Sequence, residues 1–145
     1  MVTLGISWST TFRLEMQMEV RKAVEKHKTQ SIHYLENALK WMNAGNAEKA
    51  SEFLWGSMAQ ALKALAARKG ISLRSHRLIH DYAYLVSKEL NDESLRVAFD
   101  KAQSLHSNFY ECGLSIEDVA VGAEEVKPAV AKLLELTEKD EQRGQ

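Results

Sequence analysis

The chain has 145 residues, with 19 Lys and Arg against 20 Asp and Glu, so its formal net charge is −1. One Cys, one Pro and 45% hydrophobic residues exclude wholesale disorder, an internal disulfide framework and a multi-cysteine metal site. No run approaches the ~20 uninterrupted apolar residues of a membrane span, and the first nine residues lack the basic start and apolar core of a secretory leader. A single domain in the cytoplasm, with no membrane partner, is therefore expected.

Long runs rich in Ala, Leu, Glu and Lys with one Pro predict an all-α chain. The first helix is expected from Thr11 to Asn43, its apolar positions running from Phe12, Met16, Val20 and Val24 to Leu35, Ala38 and Met42. The polar run Lys26 to Ser31 weakens that stripe and suggests a break or a solvated stretch. Ala44-Gly45-Asn46 ends the helix, and Asn46 is placed to cap the next one, Ala47 to Lys69, which Gly70 stops. Gly56, Ser57, Ala59 and Ala61 make one stretch of this second helix small enough for a neighbour to come close.

Ser75 starts a third helix reaching Leu90, with Leu78, Ile79, Tyr82, Leu85 and Val86 expected inward. Asn91-Asp92 caps a fourth, Glu93 to Cys112. Ser115 and Asp118 have capping-box spacing and begin a short fifth segment, while Pro128 suits the first turn of a final helix, Val126 to Thr137. Glu138 to Gln145 reads as a frayed charged tail. The connections are short, so the predicted architecture is an antiparallel up-and-down helical bundle of four to five helices. The first helix is longer than the others can cover, so its stretch from Met16 to Val24 is expected to be buried in a homodimer.

Several motifs in order have a family look. They are Tyr34-Leu35-Glu36-Asn37-Ala38-Leu39, Gly45-Asn46-Ala47-Glu48-Lys49-Ala50, Trp55-Gly56, Ala59 to Ala66, Ser75-His76, and His106-Ser107-Asn108-Phe109-Tyr110-Glu111. Together they resemble the HEPN superfamily, the higher-eukaryote and prokaryote nucleotide-binding domain, and within it the archaeal and bacterial PaREP branch. The likeness covers about Ser31 to Leu136 and leaves residues 1–30 as a helical extension. It implies a HEPN-like bundle, often dimeric, whose relatives include metal-independent RNases and non-catalytic partners of nucleotidyltransferases. The RNase branch carries an Arg followed four to six residues later by a His at the start of the last long core helix. Here Arg96 and His106 stand too far apart, and the literal match, Arg74 to His80, sits at the start of the third helix.

His76 and His80 share a helix face, which Tyr84 continues. Their spacing lacks the HExxH pattern and Arg77 lies between them, so no metal site is expected. His76 is read as packing the turn that Ser75 caps, or as a catalytic or RNA-contacting group. At 100° per residue, His106 falls within the apolar arc of Leu95, Ala98, Phe99, Ala102 and Leu105, with Tyr110 at its edge. His106 is either a hydrogen-bonded core imidazole or, with Tyr110, the lining of a pocket. Trp55 and Trp41 are read as core or interface, and Cys112 as a buried thiol. No phosphate-cradling glycine loop, carboxylate pair or nucleophile elbow is present, and no cofactor is expected.

Charge is unevenly spread. Residues 61–90 carry six cations, Lys63, Arg68, Lys69, Arg74, Arg77 and Lys88, against two acids; residues 91–145 carry six against twelve. The basic junction can meet phosphate, or the acidic third can lie against it. Three functions follow. The first is a non-catalytic binding module for a nucleotide, RNA or a protein partner, acting through Arg68, Arg74, Arg77, His106 and Tyr110. The second is a metal-independent RNase using Arg74 with His76 or His80. The third is a structural interaction protein, such as one half of a toxin–antitoxin pair. A nucleotidyltransferase or an antitoxin is the protein partner that the resemblance suggests.

Overall fold

The computed structural model describes the backbone of residues 2–143 and the side chains of residues 9–107 and 113–139. The described residues form five helices: α1 (Val2–Asn43), α2 (Ala47–Arg68), α3 (His76–Glu89), α4 (Glu93–Cys112) and α5 (Ile116–Arg143). Helix α1 begins at Val2 rather than Thr11, since no Pro interrupts the lead, and it continues unbroken through the polar run of Lys26 to Ser31.

That run is no break and is solvated only in part: Lys26 and Thr29 are exposed, while Ser31, His27 and Lys28 find partners on α2 and α5. Ser31 and Ser57 are both buried, and the hydroxyl of each donates to the other's backbone carbonyl at 2.8 Å. One turn further back, His27 Nδ1–H donates to Gln60 Oε1 at 2.6 Å. Lys28 reaches Glu138 on α5 at 3.4 Å. The paired positions, 31 with 57 and 27 with 60, rise on one helix as they fall on the other, so α1 and α2 form an antiparallel hairpin. Gly56 lets them close: a Cβ there would lie 2.9 Å from Tyr34 Cδ2. Burial makes these hydrogen bonds matter, since an unmet polar group in the seam costs about 1–3 kcal/mol.

Helix α2 is central. It packs against α1, α3, α4 and α5, and its predicted stripe of Ala50, Leu54, Met58, Ala61, Leu62 and Leu65 is buried together with much of its remaining surface. Asn46 caps it through Oδ1, which accepts from Lys49 N–H at 3.0 Å. After it the chain turns at Gly70, whose φ of +75° is open to glycine with little strain.

Among the described residues helix α3 contacts only α2 and α4, so one narrow stripe is covered. Ile79, Tyr82 and Val86 are buried as expected, but Leu78 and Leu85, read as inward, are 45% and 48% exposed. They lie about 100° round the helix from Ile79, beyond the reach of either neighbour. In α4 the expected arc holds: Leu95, Ala98, Phe99, Ala102 and Leu105 are buried. The side chains of Tyr110 and Cys112 lie outside the described residues.

Helix α5 corrects the two-segment reading of residues 115–137. Ser115 and Asp118 form the capping box, each accepting the other's backbone N–H, but the helix then passes straight through Pro128 and continues into the charged stretch beyond Glu138. A proline inside a helix removes a hydrogen bond and costs about 3 kcal/mol. Pro128 is on the exposed side, where water can take the freed carbonyl of Glu124. On the inner side, buried Val126, Ala129, Val130 and Leu133 hold the helix against the core on both sides of the proline. Gly122 permits the close crossing of α4, since a Cβ there would meet Leu105 Cδ1 at 2.6 Å.

Candidate functional site

The loop of residues 69–75 and the first turn of α3 lie over the middle of α2, and a cavity of 280 Å³ opens between them. Trp55, Gln60 and Lys63 come from α2, Arg74 and Ser75 from the loop, and His76 from α3. Ser75 starts α3 in the expected way, its Oγ accepting from Leu78 N–H at 3.1 Å. This cap aims His76 back over α2.

There the exposed imidazole lies nearly parallel to the Trp55 indole, with ring centroids 5.2 Å apart and planes 14° from parallel. His106 of α4 completes a triangle of flat rings, 5.9 Å from Trp55 and 6.4 Å from His76. Trp55 is buried and also touches Phe99, so the indole is a fixed base beneath a ring that faces solvent.

The charged residues separate into two groups. Among the described residues Lys63, Arg68, Lys69, Arg74 and Lys88 make no ion pair, and no ion pair joins the basic junction to the acidic C-terminal third. Arg77 is held within its own helix by Asp81 at 3.2 Å. Contacts from His80, first, and Arg77 keep the Asp81 carboxyl below its ordinary range. Arg74 Nε–H donates to Ser72 Oγ at 3.4 Å.

Of the residues singled out from sequence, Arg74 and His76 line the cavity and His106 stands behind it; Arg68 and Arg77 do not line it. His80 turns the other way, against Tyr84 at 4.2 Å and the edge of Phe99 at 5.9 Å. The Tyr84 hydroxyl donates to Asp100 at 2.8 Å, which raises its pKa above the ordinary value. Tyr110, placed with His106 from sequence, has a side chain outside the described residues. Lys63, Gln60 and Trp55 were not singled out as a site. The Trp55-Gly56 step was visible, but Trp55 read as core, and Lys63 was only one of six cations. Among the described residues no cluster of three metal-ligating side chains occurs and no helix is long and apolar enough to cross a membrane.

A model of the archaeal PaREP1/PaREP8 family matches residues 26–130, which is most of the chain and all of this cavity. The chain belongs to that family. The match starts within α1 and ends within α5. Comparison with curated proteins and with solved structures finds no match. The family therefore accounts for the hairpin, α3, α4 and the aromatic triangle, whereas residues 1–25 of α1 lie outside it.

Proposed function

We propose that this protein is a non-catalytic binding module of the HEPN type, which recognises a nucleotide or RNA and acts as a dimer. The carrying observation is the exposed His76 ring, backed by buried Trp55, in the same cavity as Lys63 and Arg74, which make no ion pair among the described residues. A flat ring and a pair of cations are the two things a nucleotide asks for: a surface for the base and charge for the phosphate. Family membership, the all-helical fold and the ordered motifs support the HEPN placement. The dimer draws on the exposed start of the expected Met16 to Val24 stretch, Met16 and Met18, together with Phe12 and Leu14 before it; Val24, expected in that interface, is instead buried within the chain.

Binding of a fluorescently labelled oligoadenylate RNA at low salt tests this reading. His76→Ala should weaken binding, and Lys63→Ala with Arg74→Ala should both weaken it and reduce its salt slope by about 1 per cation removed. Unchanged binding in all three, with Lys88→Ala as the control, would overturn it.

A second reading has its own observation. His76 and His106 place two imidazoles 6.4 Å apart, and imidazole can donate or accept a proton near neutral pH. As a metal-independent RNase, the protein would use these two with Arg74, in place of the His80 partner suggested by spacing. RNA cleavage in EDTA, lost in His76→Ala and in His106→Ala, would establish it.

A further inference from the structure

The cavity beside His76 adjoins a second and larger one, and the two share their cations. The larger, of 550 Å³, lies between the N-terminal part of α1 and the loop after α2, with Met16, Val20 and Ala23 on one wall and Ile71 on the other. Lys63, Leu73 and Arg74 line both cavities. Beneath the junction, the hydrogen bond from His27 to Gln60 ties the floor of the larger cavity to that of the smaller.

We propose that the paired cavities hold two consecutive nucleotides of single-stranded RNA, with the bridging phosphodiester on Lys63 and Arg74. This rests on the nucleotide-binding reading above and names its ligand class. The position of the cations decides between one nucleotide and two. A mononucleotide carries its phosphate at one end, so a site built for it needs cations at one end. Here they stand between two compartments, as a phosphate linking two nucleosides requires.

The walls suit the two occupants differently. In the smaller cavity the base lies on the His76 ring, and Gln60, its oxygen engaged by His27, offers an amide N–H to a base edge. In the larger, apolar Val20, Ala23 and Ile71 cover the second base, and the Glu19 carboxylate accepts from a ribose hydroxyl. The wall that Met16, Glu19, Val20 and Ala23 supply to this second compartment lies outside the family match, whereas His27, Lys63 and the loop after α2 lie within it.

The test compares adenylyl-3′,5′-adenosine with adenosine 3′-monophosphate by calorimetry or tryptophan fluorescence at low salt. The dinucleotide carries the lower phosphate charge, so a site reading charge alone binds it more weakly. The expected result is the reverse, binding tighter by about tenfold, the contribution of one further stacked or buried base. Ala23→Phe, which fills the larger cavity, and Ile71→Glu, a change at an exposed position, should each remove that advantage. Equal or tighter binding of the monophosphate would overturn the two-nucleotide site while leaving a one-nucleotide site standing. Binding of neither would overturn the reading on which it rests. A deoxy dinucleotide that binds as tightly as the ribo form would overturn the assignment to RNA.

Discussion

Helix α1 is one continuous helix whose two parts use apolar residues in opposite ways. From Val24 onward it is sealed against α2, with Val24, Ser31 and Ala38 recurring every seven residues and all buried. Before Val20 it extends past the end of α2, and Phe12, Leu14, Met16 and Met18 are exposed, Phe12 to 61%. The sealed part buries a serine and the free part exposes a phenylalanine. Burial along this helix follows the length of its neighbour more than the character of its residues.

The contrast can be tested by substitution, from the strongest expected effect to the weakest. Beside the seam, Leu54→Ala empties a fully buried site and should cost about 2–5 kcal/mol in urea unfolding. Gly56→Ala should cost about 1–3 kcal/mol, because the new methyl meets the Tyr34 ring; shortening Tyr34 to Leu should recover part of the loss. Ser31→Ala removes one of the paired serine bonds and should cost about 1–2 kcal/mol. Combined with Ser57→Ala it should cost less than the two changes summed, since they share partners.

Electrostatics contributes less. Asp92 caps α4 and binds Lys132 of α5, and the Lys132 contact, then Ser94, hold its carboxyl at about 2, below the ordinary 3.8. A lowered folded-state pKa stabilises above the ordinary value and fades as pH falls toward the folded one. Asp92→Asn keeps a capping oxygen but loses the ion pair, so it should cost about 1 kcal/mol at neutral pH, the partner being half-exposed. That difference should close between pH 4 and pH 2. On the extending part of α1, Phe12→Ser with Met18→Ser should change monomer stability by less than about 0.5 kcal/mol, yet convert a dimer to single chains in sedimentation. Loss of fold there, with no change in association, would reverse the comparison.

Much of the fold was legible because helix boundaries are set locally. Asn46, Ser75, Asp92 and Ser115 cap the helices they were expected to cap, and a capping oxygen acts within three residues of itself. Pro128 misled for the complementary reason: local chemistry favours a helix start there, and the core on α5's inner face overrides it. Leu78 and Leu85 misled because helical periodicity says which residues share a face but not how many neighbours cover it. In the candidate site, Arg74 and His76 stood out by type and spacing. Lys63 and Gln60 are ordinary residues of an amphipathic helix until the loop and α3 are laid over them, and His80, four residues from His76, leaves the site because α3 turns it toward Phe99.

By itself the sequence determined the helices, their caps, the small-residue stretch of α2 and the cancellation of a basic junction by an acidic third within a net charge of −1. Those are properties of residues a few positions apart. Only the tertiary structure decided that the two charged regions do not pair among the described residues, that Trp55, His76 and His106 meet, and that Lys63 and Arg74 stand between two cavities. These depend on how helices far apart in the chain cross, and a crossing is settled by packing across the whole core.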